Sequence, residues 1–238
     1  MKKPNLGSIV AIALLVFSIS SCGLLQQGIE PRNPDEKTFD LRNFDKLEMG
    51  NAFNINVKQG SNYKVIANGD SRDINDLVVR VSGGELEIYY KKWRVRRYRM
   101  EIEIEMPTLK EVDFSGATTS YINGFENIDE LDIDLSGSSR ATISAKARAY
   151  EIDLSGASEL ELTGSGQLLE ADLSGASKLN AFDTQVVRAS LEVSGASSGR
   201  VNVSERLNVR ASGASKVKYR GNPEVSSNLS GSSHVERD

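Results

Sequence analysis

Hydrophobic and polar positions alternate through the second half of the chain, and every 18 to 21 residues the alternation stops at a tetrapeptide of small residues. The position directly before each tetrapeptide is always apolar, as Leu154 and Leu173 illustrate. Positions five and seven after its first serine are apolar in most copies. This period of two is typical of β-strands with one buried face, and it excludes amphipathic helices. Each repeat is therefore predicted to hold two short strands that meet at the tetrapeptide.

The tetrapeptide predicts how the repeats stack. Its second residue is always glycine, which suits a sharp bend packed about 4.8 Å from identical bends above and below. Seven copies with one short period indicate a solenoid. We expect an all-β fold, a right-handed parallel β-helix of about seven coils over residues 109–238. The copies are Ser115–Thr118, Ser136–Ser139, Ser155–Ser158, Ser174–Ser177, Ser194–Ser197, Ser212–Ser215 and Ser230–Ser233.

Residues 38–108 also alternate, but they lack the tetrapeptide. Val79 and Val81 are predicted to pair with Leu86 and Ile88 across a Ser-Gly-Gly-Glu turn, a strong hairpin signal. An uncovered first coil would expose strand edges and apolar interior. This section is therefore predicted to be an N-terminal β cap, continuous with the coils as one domain.

The first 37 residues have a different character. Residues 1–21 combine a basic start with a short apolar core and are predicted to be an export signal. Cys22, the single cysteine of the chain, follows Ile19-Ser20-Ser21 in a lipobox and is the predicted lipid attachment site. Residues 22–37 are predicted to be a tether. No aspartate follows Cys22 to indicate retention in the inner membrane, so a periplasmic or surface face of the outer membrane is favoured.

Charge and composition exclude several classes of function. Removal of Lys2 and Lys3 with the signal lowers the 29 basic residues by two against 33 acidic ones, a net charge of about −6. Nucleic acid is therefore not an expected partner. His234 is the one histidine, so histidine triads and multi-histidine metal sites are excluded. We predict no catalytic residues, no cofactor and no metal site.

A basic and aromatic segment stands out within this acidic chain, with six positive charges and two aromatic residues among nine positions. Such a segment suits sulfate, phosphate or carboxylate groups of a polysaccharide or a lipid headgroup. The alternative is a solvated strand pair or loop whose arginines pair with Glu101, Glu103 and Glu105. The candidate binding residues are Lys91, Lys92, Trp93, Arg94, Arg96, Arg97, Tyr98 and Arg99.

An acidic residue stands two positions before the first serine in five successive repeats. Stacked carboxylates about 5 Å apart repel one another, and a cation such as calcium would relieve that repulsion. The alternative is compensation by basic residues of neighbouring columns, with Arg140 and Lys178 as candidates. The column consists of Asp113, Asp134, Asp153, Asp172 and Glu192, followed by Arg210 and Asn228.

Several motifs together resemble the bacterial envelope family known as putative auto-transporter adhesin, head GIN domain. They are the lipobox at Cys22, Phe44-Asp45-Lys46-Leu47, Gly50-Asn51-Ala52-Phe53-Asn54-Ile55, Gly83-Gly84-Glu85-Leu86-Glu87-Ile88, Met106-Pro107-Thr108-Leu109 and the Asp-Leu-Ser-Gly-Ala-Ser repeats. The resemblance runs from about Phe39 to the end. It implies a β-helical envelope lipoprotein with an adhesive role, and it brings no catalytic residues.

The expected function is a non-enzymatic binding module for polysaccharide or another envelope component, anchored by its lipid. One alternative is a carbohydrate-active β-helix enzyme using the acidic column, favoured if a groove gathers three or more carboxylates away from that column. The other is a structural or stress-related envelope protein with a protein partner. The ligand and the oligomeric state stay open at this level.

Overall fold

The computed structural model describes residues 29–238, so the predicted signal and Cys22 lie outside the described residues. Within this range a single mixed sheet coils into a β-solenoid of about seven turns. The described part contains no helix long and apolar enough to cross a membrane. Its elements are β1 Pro34–Phe39, β2 Lys46–Met49, β3 Asn54–Gln59, β4 Lys64–Asp70, α1 Ser71–Ile74, β5 Leu77–Ser82, β6 Glu85–Tyr90, β7 Glu101–Met106, β8 Glu111–Phe114, β9 Thr119–Leu135, β10 Arg140–Leu154, β11 Glu159–Leu173, β12 Lys178–Val193, β13 Ser198–Ala211, β14 Lys216–Gly221, β15 Glu224–Leu229 and β16 His234–Arg237.

Strands β9 to β13 are stacked in parallel, and each runs from one tetrapeptide to the next. The two strands predicted for each repeat are thus halves of one long bent strand, because the bend midway keeps most of its ladder pairs. Only the final described coil divides them, into β14 and β15, where Pro223 cannot donate to the ladder. The all-β solenoid inferred from the repeats is confirmed.

The core lies between the two halves of each coil. The apolar residues that flank the tetrapeptides are buried, including Ile143 and Leu160 after the corners and Ile152 and Leu154 before them. At Gly199 the approach is so close that a Cβ atom would lie 3.0 Å from a side-chain carbon of Leu191. The two halves of the coil therefore face each other across a thin, dry interior.

Each tetrapeptide forms a corner that is bonded to the corners beside it. The Ala157 amide donates to the Gly137 carbonyl at 2.7 Å, and the same bond recurs up the stack. The corner glycine has a positive φ, 71° at Gly156, where an added Cβ atom would lie 2.5 Å from the Gly137 oxygen. The fourth residue is a serine or threonine that is buried in every copy but the last; the Ser158 hydroxyl donates to the Ser155 carbonyl at 2.9 Å. The close stacking therefore favours glycine at the second position of the corner and a small hydroxyl residue at the fourth.

The section predicted as a cap enters the solenoid instead. Strands β2 and β3 pair in parallel with β8 and β9, and the corner between them, residues 50–53, stacks on the first tetrapeptide. The Ala117 amide donates to the Asn51 carbonyl at 2.7 Å, and Asn51 has the φ of 78° that glycine has elsewhere. Asparagine tolerates this conformation better than most residues. A cap separate from the coils is therefore not confirmed, since the section supplies an eighth corner.

A further coil, β6 followed by β7, pairs in parallel with β2 and β3 on their other side. Beyond it the pairing becomes antiparallel: β5 borders β6, β4 borders β7, and β1 borders β4. The β5–β6 hairpin has the predicted register, with Val79 opposite Ile88 and Val81 opposite Leu86. Strand β1 begins at Pro34, inside the segment predicted as a tether.

Candidate functional site

The basic segment is the corner of the coil formed by β6 and β7. Its stacking neighbour is the four-residue corner between β2 and β3, but here ten residues, 91–100, join the two strands. The Asn54 amide donates to the Met100 carbonyl at 2.9 Å, and the Lys91 amide donates to the Asp76 carbonyl at 2.8 Å. Both ends of the segment are therefore held to the solenoid, while its middle projects from it. We call residues 91–97 the basic corner.

Two arginines of the basic corner point inward and are fixed by carboxylates. The Arg94 guanidinium lies 2.8 Å from an oxygen of Asp73, and Arg96 forms an ion pair with Asp76. The Arg96 guanidinium also lies 3.6 Å from the ring centre of Tyr90. Side chains of Asp73 and Asp76 are each 8% exposed and that of Arg96 is 10% exposed, so these pairs are shielded from water. Both arginines therefore hold the basic corner in place.

The short helix α1 supplies one of these carboxylates, and its start is set by Asp70. The Asp70 side chain accepts from the Arg72 amide at 3.2 Å and from the Asn33 amide at 3.0 Å. The sequence interpretation missed this helix and the roles of Asp73 and Asp76. The available signal was an N-cap aspartate, followed by residues that break the strand alternation.

The alternative interpretation, pairing with the nearby glutamates, holds only at the end of the basic segment. Arg99 lies 3.1 Å from Glu101 and 3.0 Å from Glu30. Glu105 instead pairs with Lys58 at 3.2 Å, and Glu103 accepts a hydrogen bond from Asn68. The reason is geometric: β7 is flanked by β3 and β4, so its outward glutamates face those strands.

Exposure alternates along the basic corner. Trp93 is 98% exposed and Val95 80% exposed, and Arg97 is exposed as well, whereas Arg94 and Arg96 between them are not. Lys91 and Lys92 are exposed too. Among residues 29–238 these two lysines and Arg97 form no ion pair. The segment thus offers three available cations around two bare apolar side chains, while half-buried Tyr98 bridges to Ile29.

The acidic column is stacked as predicted, with Asp113, Asp134, Asp153, Asp172 and Glu192 opposite one another in successive strands. It is longer than predicted, because Glu48 and Glu87 extend it through β2 and β6. Compensation comes at its two ends, where Arg80 lies 2.6 Å from Glu87 and Arg210 pairs with Glu192. Arg140 pairs with Glu159, at 3.3 Å, rather than with the column. The predicted role of Arg140 is therefore wrong.

A second acidic column, missed in the sequence, runs beside the first on the same outer face. It comprises Glu85, Glu111, Asp132, Glu151 and Glu170, with Lys46 between the first two. Lys46 forms an ion pair with Glu111. The signal was available in the repeats, since four members each stand four positions before the first serine of a corner: Glu111, Asp132, Glu151 and Glu170.

Crowding of carboxylates shifts their proton affinity. Partial burial, followed by repulsion from Asp153 and Asp113, raises the pKa of Asp134 to about 6. Burial first, and then repulsion from their own neighbouring carboxylates, also raises the pKa values of Asp132 and Asp172. This face, the acidic face, carries a concentrated negative charge that its few cations do not neutralise.

The acidic face borders a shallow groove of about 450 Å³, lined by Asp153, Asp172, Glu192 and corner serines. These carboxylates belong to the repeat column, so the arrangement that would favour a carbohydrate-active enzyme is not met by this groove. Fourth-position serines of the corners, such as Ser215, donate to backbone carbonyls and are engaged in structure. The serines that line the groove are instead the first residues of the corners, such as Ser155 and Ser174, and no histidine lies among the groove residues to activate them.

Two carboxylate clusters occur on exposed strands, with oxygens within 4.8 Å of one another. Their oxygen donors are of the type that hard cations prefer. Exposed acidic groups adopt such arrangements without an ion as well, so the clusters do not by themselves define a metal site. They are Glu48, Glu85 and Glu87, and Glu130, Asp132 and Glu151.

Comparison with models of protein families shows to which family the chain belongs. Residues 43–223 match the family described as putative auto-transporter adhesin, head GIN domain, which covers most of the chain. The chain belongs to this family. The match takes in β2 through β14, and so includes both the basic corner and the acidic face. No curated protein matches the chain.

Solved structures share the fold of this head GIN domain protein. A putative adhesin from Bacteroides fragilis superposes with a TM-score of 0.77 at 20% identity, covering 88% of this chain and 99% of its own. A putative lipid binding protein from Parabacteroides distasonis has a TM-score of 0.72 at 19% identity, with the same coverage of both chains. A putative adhesin from Parabacteroides merdae has a TM-score of 0.67 at 16% identity, covering 88% and 98%. At such identities the likeness concerns the fold.

Proposed function

We propose that this head GIN domain protein is a non-enzymatic binding module of the bacterial cell envelope, attached to the outer membrane by a lipid on Cys22. The family and its structural neighbours are adhesin-like, which supports a protein of the cell envelope or surface. The lipobox at residues 19–22 supports the anchor. In this proposal the solenoid is a rigid scaffold, and side chains exposed on its surface make the adhesive contacts.

The observation that carries the proposal is the basic corner. Its two inward-pointing arginines form ion pairs with Asp73 and Asp76. Three other cations form no ion pair among the described residues and lie close in sequence to the exposed ring of Trp93: Lys91, Lys92 and Arg97. Cations and an aromatic ring on a supported loop suit anionic groups of the envelope, such as carboxylate or phosphate on polysaccharide or lipid. One fold neighbour is named a lipid binding protein, which agrees with such a ligand.

The test measures retention of the chain from Gly23 onward on acidic and neutral polysaccharides and on lipopolysaccharide, at low and at physiological salt. This chain retains residues 29–238, which hold every described strand and core residue. We expect salt-sensitive retention on acidic polymers, because contacts between exposed charges are screened by salt.

The triple variant K91E/K92E/R97E should lose at least tenfold in affinity, by loss and reversal of three contacts. K178E is the matched control, since Lys178 is exposed on the repeats and forms no ion pair among the described residues. Equal loss in both variants, or no retention of the parent on any acidic polymer or lipopolysaccharide, would contradict the proposal.

The anchor is tested separately in cells that express the full chain. We expect incorporation of labelled fatty acid and recovery in the outer membrane fraction. C22S should abolish the label. A chain that is exported but carries no label would contradict lipid attachment.

A further inference from the structure

We infer that the basic corner, together with Ile29, docks on the surface of the membrane that carries the lipid anchor and binds its phosphate-bearing headgroups. This inference names the ligand of the binding surface proposed above, and it rests on the proposed attachment at Cys22. The contact would hold the coil formed by β6 and β7 against the membrane. The repeats would then extend away from it.

The distribution of exposed apolar side chains is the first argument. Among the described residues, the three most exposed large hydrophobic side chains are Trp93 at 98%, Val95 at 80% and Ile29 at 57%. All three lie at this one corner, because Ile29 pairs with Tyr98 beside it. Solvent-exposed apolar groups that cluster mark an interaction site. Two of the three are aliphatic, which favours hydrocarbon over the polar hydroxyls of a sugar.

Local geometry keeps these groups pointing outward. Exposure alternates from Trp93 to Arg97, so successive side chains point to opposite sides of the chain. Arg94 and Arg96 are held inward by Asp73 and Asp76, which turns Trp93, Val95 and Arg97 to solvent. The inward pairs thus pre-form an outward face with apolar and cationic groups. Tryptophan and basic residues are the side chains that settle at the bilayer interface.

The path of the chain from the anchor is the second argument. The Ile29 amide donates to the Arg97 carbonyl at 2.9 Å, and its carbonyl accepts from the Arg99 amide at 2.9 Å. Six residues lie between Cys22 and Ile29, so seven Cα-to-Cα steps join them. Fully extended they span at most about 25 Å. The basic corner is therefore confined close to the bilayer whenever the lipid is inserted.

Charge is the third argument. Lys91, Lys92 and Arg97 have no ion-pair partner among residues 29–238, although the rest of the protein is acidic. Anionic lipid headgroups attract basic residues close to a membrane surface. The acidic face lies on the outer side of β2, β6 and β8–β12, and repulsion would disfavour its lying flat on such a membrane.

Trp93 is the one tryptophan of the chain, so its fluorescence reports this contact without a label. The chain from Gly23 onward is mixed with vesicles of phosphatidylcholine, or of phosphatidylcholine with about one third phosphatidylglycerol. We expect a blue shift and co-sedimentation with the anionic vesicles, and at least tenfold weaker binding to the neutral ones. K91E/K92E should reduce binding to the neutral level.

Co-sedimentation of W93S/V95S tests the apolar contact, and we expect at least a tenfold loss. Y121S is the matched control, because Tyr121 is 53% exposed on a repeat strand, and it should bind like the parent. Binding unchanged in W93S/V95S would overturn the inference, since the attachment would lie elsewhere.

The outcomes also separate this inference from the proposed function. Retention on acidic polysaccharide without vesicle binding would overturn membrane docking and leave the proposed function standing. Absence of binding to polysaccharide, lipopolysaccharide and vesicles would overturn both. Fatty-acid labelling at Cys22 without vesicle binding would uphold the anchor and overturn the docking.

Discussion

Two corners of the same solenoid differ in length and in what they carry. The corner at residues 155–158 has four small residues, and corners of the same kind lie against it on both sides. The corner at residues 91–100 has ten, and only the corner of β2 and β3 lies beside it in the stack. The glycine position of an inner corner has no room for a Cβ atom. A corner at the end of the stack has a stacked neighbour on one side only, so it can contain more residues. In this chain those additional residues expose cationic and apolar side chains.

The largest effect is expected from adding a methyl group to an inner corner. In G175A the new Cβ atom would lie 2.5 Å from the Gly156 oxygen at a φ of +75°. Left-handed strain and overpacking together should lower the free energy of unfolding by about 2–5 kcal/mol. Denaturant unfolding followed by far-UV circular dichroism measures it.

Gly83 is the control for that prediction, because its φ is +60° but nothing lies within 4 Å of an added Cβ atom. G83A should cost only the backbone strain, about 1 kcal/mol. Equal losses in G175A and G83A would show that the close stacking does not matter. The contrast between inner and free turns would then fail.

A smaller effect is expected from removing an inward arginine of the basic corner. R96A would remove the nearer of the two guanidinium groups that pair with the nearly buried Asp76 carboxylate, leaving Arg94 at 3.6 Å, and would remove the guanidinium from the Tyr90 ring. The free energy of unfolding should fall by about 2–4 kcal/mol, somewhat less than for a buried pair that loses its sole partner. Limited proteolysis should then cut within residues 91–100.

K92A is the matched change, since Lys92 is exposed and forms no ion pair among residues 29–238. It should change the free energy of unfolding by less than about 0.5 kcal/mol. If R96A is as mild as K92A, the ion pairs do not hold the lengthened corner.

The smallest effect concerns the acidic face. The pKa of Asp134 is about 6 in the folded protein against an ordinary value of 3.8, so the folded state binds its proton more tightly than the unfolded state does. The contribution of Asp134 to stability is therefore greatest at low pH and is lost as the pH rises through 6. Thermal unfolding at pH 7 and pH 5 should show a higher Tm at pH 5.

D134N removes the repulsion and should raise the free energy of unfolding at pH 7 by about 0.5–1 kcal/mol, with a weaker gain on acidification. In contrast, the hydrogen bond from Arg148 lowers the pKa of Asp129, so D129N should bring no gain. A gain of equal size in both variants would argue against crowding in the column.

Prediction from sequence succeeded where the local backbone geometry accepts only one or two residue types. The corner glycines and serines predict the stacking, because a Cβ atom at the glycine position would clash with the backbone of the neighbouring corner. The β5–β6 hairpin was predictable to the residue pair, since two glycines favour a tight turn. The corner at residues 50–53 was missed, although Leu47 and Met49 precede it in the repeat pattern and Asn51 tolerates positive φ.

Partners distant in the chain were not predictable. Arg94 and Arg96 stand among nearer glutamates, yet they pair with Asp73 and Asp76, about twenty positions earlier. Which carboxylates these arginines contact depends on the position of α1 and on the strands that flank β7. The order of charged residues along the chain predicts neither.

The amino-acid sequence alone determined the period, the buried columns and the all-β solenoid, because these follow from alternation and from residues that only one local geometry accepts. Tertiary structure decided which charged side chains form ion pairs and which remain unpaired among the described residues. It also placed the lengthened corner at one end of the stack, beside Ile29. The physical reason is that an ion pair is chosen by proximity in space. In a solenoid, stacking creates that proximity between residues of different coils.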